Sequence, residues 1–117
     1  VEIVCESFFT GNTFFPTEKT WRPILLKTPF VIHGPKNYLL NLKRLGFETF
    51  DRWWDEGYSQ DPVDYQIHGI KQVIDYLAGL SQSEMCNLYK DMLPVLEHNR
   101  QLALNLSVED WNCFNAT

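Results

Sequence analysis

Apolar and polar residues recur along this chain with two different periods, and the places where the period changes divide it into elements. "VEIVCES" alternates and carries β-branched residues at its apolar positions, which predicts a buried strand over residues 1–6. "KTPFVIHGP" predicts a second strand at about 29–33, and "LGFETF" a third, shorter one at 47–50. Helical stretches lie between and after them. An order of strand, helix, strand, helix, strand and then helices favours a parallel sheet with right-handed crossovers. The expected class is therefore α/β, a Rossmann-like parallel sheet of about three or more strands flanked by helices, with a helical C-terminal part.

Punctuation residues sharpen the helices. Thr17-Glu18-Lys19 opens the first crossover, and Pro23 then demands either a kink or a late start to the regular helix. Gly34-Pro35 puts proline at a first helical position. Tyr38, Leu42 and Leu45 then share one face, and Gly46 stands where a left-handed C-terminal cap belongs. After Asp61-Pro62 and Asp64, the residues Val63, Ile67, Ile70, Ile74 and Leu77 form one apolar stripe. Ser81 with Glu84 makes a capping box for a helix whose Met85, Leu88, Met92 and Leu96 face inward, with Pro94 expected to kink or break it. Ser107 caps an expected short final helix. The long loops fall at 7–16 and 51–61.

Length and composition then bound the function. At 117 residues, 44% of them hydrophobic, the chain suffices for one core and one domain. No segment approaches the roughly 20 apolar residues of a membrane span. A net charge of −5 argues against general nucleic-acid binding, which needs clustered Lys and Arg. The charge is uneven, with six Lys and Arg against three acids in residues 1–47 and four against twelve thereafter, so a small anion is better received by the first part. Cys5, Cys86 and Cys113 are odd in number and far apart, which suits reduced thiols and a cytoplasmic location rather than a disulfide framework. The two glycosylation sequons at Asn105 and Asn115 carry no weight without a secretory signal. No spacing of His, Cys and acids suggests a metal site, and none is expected.

Ligands of a parallel sheet gather beyond the carboxyl ends of its strands. That edge collects Glu6, Ser7, Thr17, Glu18, Lys19 and His33. A helix start presents free N–H groups and the positive end of the dipole to an anion, and Lys19 adds a full charge beside it. Glu18 can accept hydrogen bonds from a ribose diol. The same three residues also suit a plain helix start, in which Thr17 caps, Glu18 meets the dipole and Lys19 is solvated. His33 sits where it can meet a phosphate or serve as an ordinary strand-end histidine.

The pattern "VEIVCES…FFPTEKTWRPILLKTPFVIHGP" resembles the donor-binding motif of the α-1,3-fucosyltransferase family over residues 1–35. In that family a strand ending in Phe-Glu-Asn-Ser leads to an aromatic-x-Thr-Glu-Lys, a Trp-Arg helix and a strand closing on Gly-Pro. The resemblance implies the C-terminal half of a GT-B glycosyltransferase, with no catalytic metal and no cofactor beyond a nucleoside-diphosphate sugar as donor. It assigns Glu18 to the ribose, Lys19 to the diphosphate, Phe15 to a tyrosine position near the nucleotide, and Glu6 to the strand-end glutamate. Cys5, Ser7 and Phe8 depart from the family pattern, which leaves the base and the sugar open. It also implies a missing N-terminal half carrying the acceptor site and general base, so that the partner is that half or a second subunit.

"DRWWDEGY" follows the third expected strand and supplies a possible pocket rim of Trp54, Asp55, Glu56 and Tyr58, with Trp53 or Trp54 able to stack on a ring. The tryptophans equally suit packing under a loop while the acids stay solvated. A reading from another class stands beside the enzymatic one: a non-catalytic, stand-alone α/β interaction module in which Thr-Glu-Lys is only a helix start.

Overall fold

The computed structural model describes residues 1–6 and 17–106. Two strands, β1 (Glu2–Cys5) and β2 (Phe30–His33), pair in parallel with Glu2 opposite Phe30 and Cys5 opposite His33. Parallel neighbours need a crossover, and α1 (Glu18–Leu25) supplies it. After β2 come α2 (Tyr38–Arg44), two 3-10 turns (Gly57–Gln60 and Val63–Tyr65), α3 (Ile67–Ala78) and α4 (Gln82–Asn105). The chain is an α/β protein with a small two-stranded parallel sheet among its described residues.

Thr17 caps α1, its hydroxyl accepting from the Lys19 N–H at 3.2 Å, and the helix is regular from Glu18 onward. Pro23 therefore lies inside the helix rather than before it, and the helix ends two residues later. Its end is a Schellman turn in which Lys27 N–H bonds Ile24 C=O and Thr28 N–H bonds Pro23 C=O. The left-handed position falls on Lys27, with φ of 55°, where no glycine marks it. Thr20, Trp21, Pro23 and Ile24 face inward, and α4 packs along α1.

α2 starts three residues after the expected proline. Pro35 instead opens a turn closed by Tyr38 N–H, and Asn37 takes a left-handed φ of 65° that no helix can contain. Its C-terminus is as the sequence predicts: Gly46 has φ of 103°, its N–H bonds Lys43 C=O, and Phe47 N–H bonds Leu42 C=O.

Residues 47–50 form no strand. The segment is packed, with Phe47 and Phe50 buried, yet side chains satisfy its backbone. The Asn99 amide bonds both Glu48 N–H and Glu48 C=O at 2.8 Å, and Glu56 accepts the Phe50 N–H at 3.0 Å. An apolar, β-branched run predicts extension and burial; it does not say whether a strand or a set of side chains answers the N–H groups.

The stripe on α3 is rotated from the expected one. Ile70 and Val73 are buried, whereas Ile67 and Ile74 are exposed. The cause is Gly69, where a Cβ would lie 2.6 Å from the Tyr58 Cβ, so the helix backbone sits directly against the Gly57–Gln60 turn. α4 has the predicted capping box of Ser81 and Glu84 and buries Met92 and Leu96, with Met85 and Leu88 half-buried. α4 runs on through Pro94 without a break, and the proline itself is exposed. The expected helix capped by Ser107 lies outside the described residues.

The core draws on elements from β1 to α4. Phe30 meets Phe50 edge-on at 5.0 Å between centroids, and Trp21 packs on Phe47 at 5.6 Å. Among the described residues no helix is long and apolar enough to cross a membrane.

Candidate functional site

The carboxyl end of β1 is tied to the start of α1 by one buried side chain. Glu6 continues the ladder through its N–H to His33 C=O at 3.0 Å, and its carboxylate turns under the helix. It accepts from Thr17 N–H at 2.9 Å, Thr17 Oγ1 at 2.6 Å, Tyr38 hydroxyl at 2.9 Å, and the Thr20 hydroxyl. Thr20 and Tyr38 lie 2.8 Å apart. Four donors and the positive end of α1 compensate the charge without a cation. Burial pushes the Tyr38 phenol far above its ordinary range; the Thr20 hydrogen bond opposes this and the Glu6 charge adds to it. Thr20 and Tyr38 were missing from the sequence-based site. Thr20 stands three residues after the cap in "TEKT", a spacing that could have flagged it, whereas Tyr38 reads only as one more apolar residue of a helix face.

This arrangement alters the expected role of the helix start. The protein's own carboxylate already takes the Thr17 N–H and both threonine hydroxyls, so Glu6 is a buried positioning group for the turn. Among the described residues, the Glu18 N–H and the Lys19 ammonium are the groups at the turn left for an outside anion. Glu18 and Lys19 are exposed, and Lys19 makes no ion pair among the described residues. Both line an open groove of about 370 Å³ between α1 and β1, with Glu2, Ile3 and Cys5 on the strand side and Arg22 farther along the helix. Arg22 pairs with Glu2. Lys19 thus stands at the carboxyl-end lip and Arg22 at the opposite end.

His33 is half-buried, and its Nε2 meets Val63 C=O at 2.9 Å, which makes that nitrogen the donor. The Gly34 backbone beside it is held at both N–H and C=O by the buried Gln66 amide, at 3.2 and 2.9 Å, while the same amide nitrogen reaches Asp61 C=O at 3.0 Å. Ser7 and Phe15 lie outside the described residues.

The expected rim forms a separate place. Trp54, Asp55 and Glu56 line a cavity of about 260 Å³ against α2, together with Asn37, Lys43 and Asp51, and it shares no lining residue with the Lys19 groove. Asp55 accepts the Gly57 N–H at 2.8 Å as a turn former. Glu56 is buried, accepting from Thr49 Oγ1 at 2.6 Å; burial raises its pKa, and the hydrogen bonds from Thr49 and Phe50 counter that. Tyr58 is buried against β2, and its phenol is pushed far up by burial and by the Glu56 charge. The structure thus brings Glu6, Thr17, Glu18, Lys19 and His33 to one edge and sets Trp54, Asp55, Glu56 and Tyr58 apart from it.

The fold and this edge define an α/β crossover with an acid and a lysine exposed beside a parallel pair. Set against known protein families, curated proteins and solved structures, the chain matches none.

Proposed function

We propose that the chain is the nucleotide-sugar-binding half of a fucosyltransferase-like glycosyltransferase, in which the parallel sheet extends beyond the two described strands. The observation that supports this reading is the exposed Lys19 ammonium, without an ion-pair partner among the described residues, beside Glu18 at the carboxyl-end lip of an open groove. The reaction is displacement at the anomeric carbon of a nucleoside-diphosphate sugar, and Lys19 stabilises the leaving diphosphate as its charge develops. Glu18 orients the ribose. Glu6 acts indirectly by fixing the Thr17 turn that aims both. The acceptor site and the general base belong to the other half of the enzyme, so this chain alone binds donor weakly and transfers nothing.

Calorimetry with GDP and with UDP, on the native chain and on Lys19→Ala, tests the proposal. One of the two nucleotides binds, and the variant loses that binding by tenfold or more. Binding indifferent to Lys19→Ala removes the diphosphate assignment.

The second reading, a non-catalytic interaction module, draws on the Glu6 carboxylate. A helix start already satisfied by its own chain needs no ligand. Silent titrations with both nucleotides support this reading.

A further inference from the structure

We propose that the aromatic groove between the Trp53-Trp54 turn and α3 binds a small soluble compound through an alkylated ammonium group. This goes beyond the donor-binding reading and does not rest on it, since the groove shares no lining residue with the Lys19 groove.

Local structure gathers the aromatic rings. The N–H groups of Trp53 and Trp54 both bond Phe50 C=O, which sets the two indoles on one turn. On α3, Gly69, Gln72, Val73 and Tyr76 stand at i, i+3, i+4 and i+7 and so share a face. With no side chain at Gly69, that face closes on Tyr58. The result is a groove of about 230 Å³ lined by Trp53, Trp54, Asp55, Tyr58 and this face of α3. Trp54, Tyr58 and Val73 are buried and make its floor, while Trp53 is half-buried and Tyr76 is 46% exposed.

Charge identifies the occupant. Asp55 is the only charged residue lining the groove, and it makes no ion pair among the described residues. A carboxylate among aromatic faces attracts a cation. The same indole already holds one on its other side: Trp53 also lines a neighbouring groove, and there the Arg52 guanidinium lies 5.2 Å from the ring centroid. Acceptors, however, are few. Asp55 Oδ1 takes the Gly57 N–H at 2.8 Å, which leaves the other carboxylate oxygen, the Gln72 amide and the Tyr76 hydroxyl. An ammonium or guanidinium rich in N–H groups would lose more hydrogen bonds to water than these replace. An alkylated ammonium has few or no N–H groups to satisfy, and its charge needs only the carboxylate and the rings. The volume lies below the roughly 300 Å³ at which pockets begin to enclose a drug-sized ligand, so the compound is small.

A titration of the whole chain with choline chloride, followed by amide and indole N–H chemical shifts at constant ionic strength, tests this. The expected result is saturable binding at about 1 mM, with the shifts confined to residues around the groove. The neutral isostere 3,3-dimethylbutan-1-ol, with carbon in place of the charged nitrogen, does not saturate. Asp55→Asn keeps the acceptor for Gly57 N–H, since asparagine forms the same turn, and removes only the charge. It weakens choline binding about threefold or more, as does Tyr76→Ala at its exposed position. Choline that never saturates, an isostere that binds as well, or binding undiminished by either substitution overturns the proposal. Co-sedimentation of the chain with phosphatidylcholine vesicles also overturns it, in favour of a lipid surface.

Discussion

On its β2 side the sheet is closed at every point. Phe30 and Ile32 are 1% exposed and Val31 is fully buried; Tyr58 lies against the strand, α3 presses on Tyr58 at Gly69, and Gln66 holds Gly34 at the strand's end. On its β1 side Ile3 and Cys5 face outward, and the nearest helix offers Glu18, Lys19 and Arg22 across an open groove. The two strands are paired residue for residue, so the difference does not come from the ladder. It comes from what each strand's outer neighbours are made of. The covered side spends two turns, a helix and several buried polar contacts on stability. The other keeps hydrogen-bonding groups and charge available.

The largest test of that contrast lies at Gly69. Any Cβ there meets the Tyr58 Cβ at 2.6 Å, and neither the helix nor the turn is a flexible chain end that can give way. Gly69→Val costs about 3 kcal/mol in urea unfolding, at the upper end of overpacking penalties. A loss under about 1 kcal/mol would mean that α3 is loosely seated and that the β2 side is not the rigid one.

Gln66→Ala comes next, at about 2 kcal/mol, because it strands the Gly34 N–H and C=O in a buried place. Gln66→Glu does not rescue it. A carboxylate still accepts from Gly34 N–H but sets an acceptor against the carbonyls of Gly34 and Asp61. Equal losses for the two variants identify the amide's two-way bonding as the cause, whereas a near-native glutamate variant rejects it.

A smaller, pH-dependent effect comes from Glu56. Burial raises its folded pKa above the ordinary 4.5, so the folded chain holds the proton more tightly than the unfolded chain. Its contribution is fully present below the ordinary value and is lost as pH rises through the raised one. Glu56→Gln removes that loss, and unfolding free energy measured upward from pH 4.5 falls less for the variant than for the native chain. Identical pH profiles would contradict the assignment.

Much of the covered side and little of the open one is legible in the sequence. Strand positions, the α4 capping box and the Gly46 cap announce themselves because periodicity and left-handed glycine act locally. Lys27 at the equivalent place in α1 gives no such signal, since a lysine at φ of 55° is held there only by the chain around it. The expected strand at 47–50 fails for a similar reason: Asn99, about fifty residues away, supplies the bonds a neighbouring strand would have made. At the site, Glu18, Lys19 and Thr17 follow from the helix start. That Glu6 fills the turn itself depends on Tyr38 reaching it from the start of α2, beyond the second strand, a contact no local pattern encodes.

The finest comparison uses one rung of the ladder. Ile3 and Val31 are register partners, project on the same face of the sheet and are both β-branched, yet Ile3 is half exposed and Val31 fully buried. Threonine at either position keeps the branch and the strand propensity, leaving burial of one hydroxyl as the main difference. Val31→Thr should cost about 2 kcal/mol, because its hydroxyl enters the fully buried apolar core. Ile3→Thr should change stability by less than about 0.5 kcal/mol, because Ile3 is already half exposed. A large cost for Ile3→Thr would show that β1 has a covered outer face after all, and the asymmetry between the two sides would disappear.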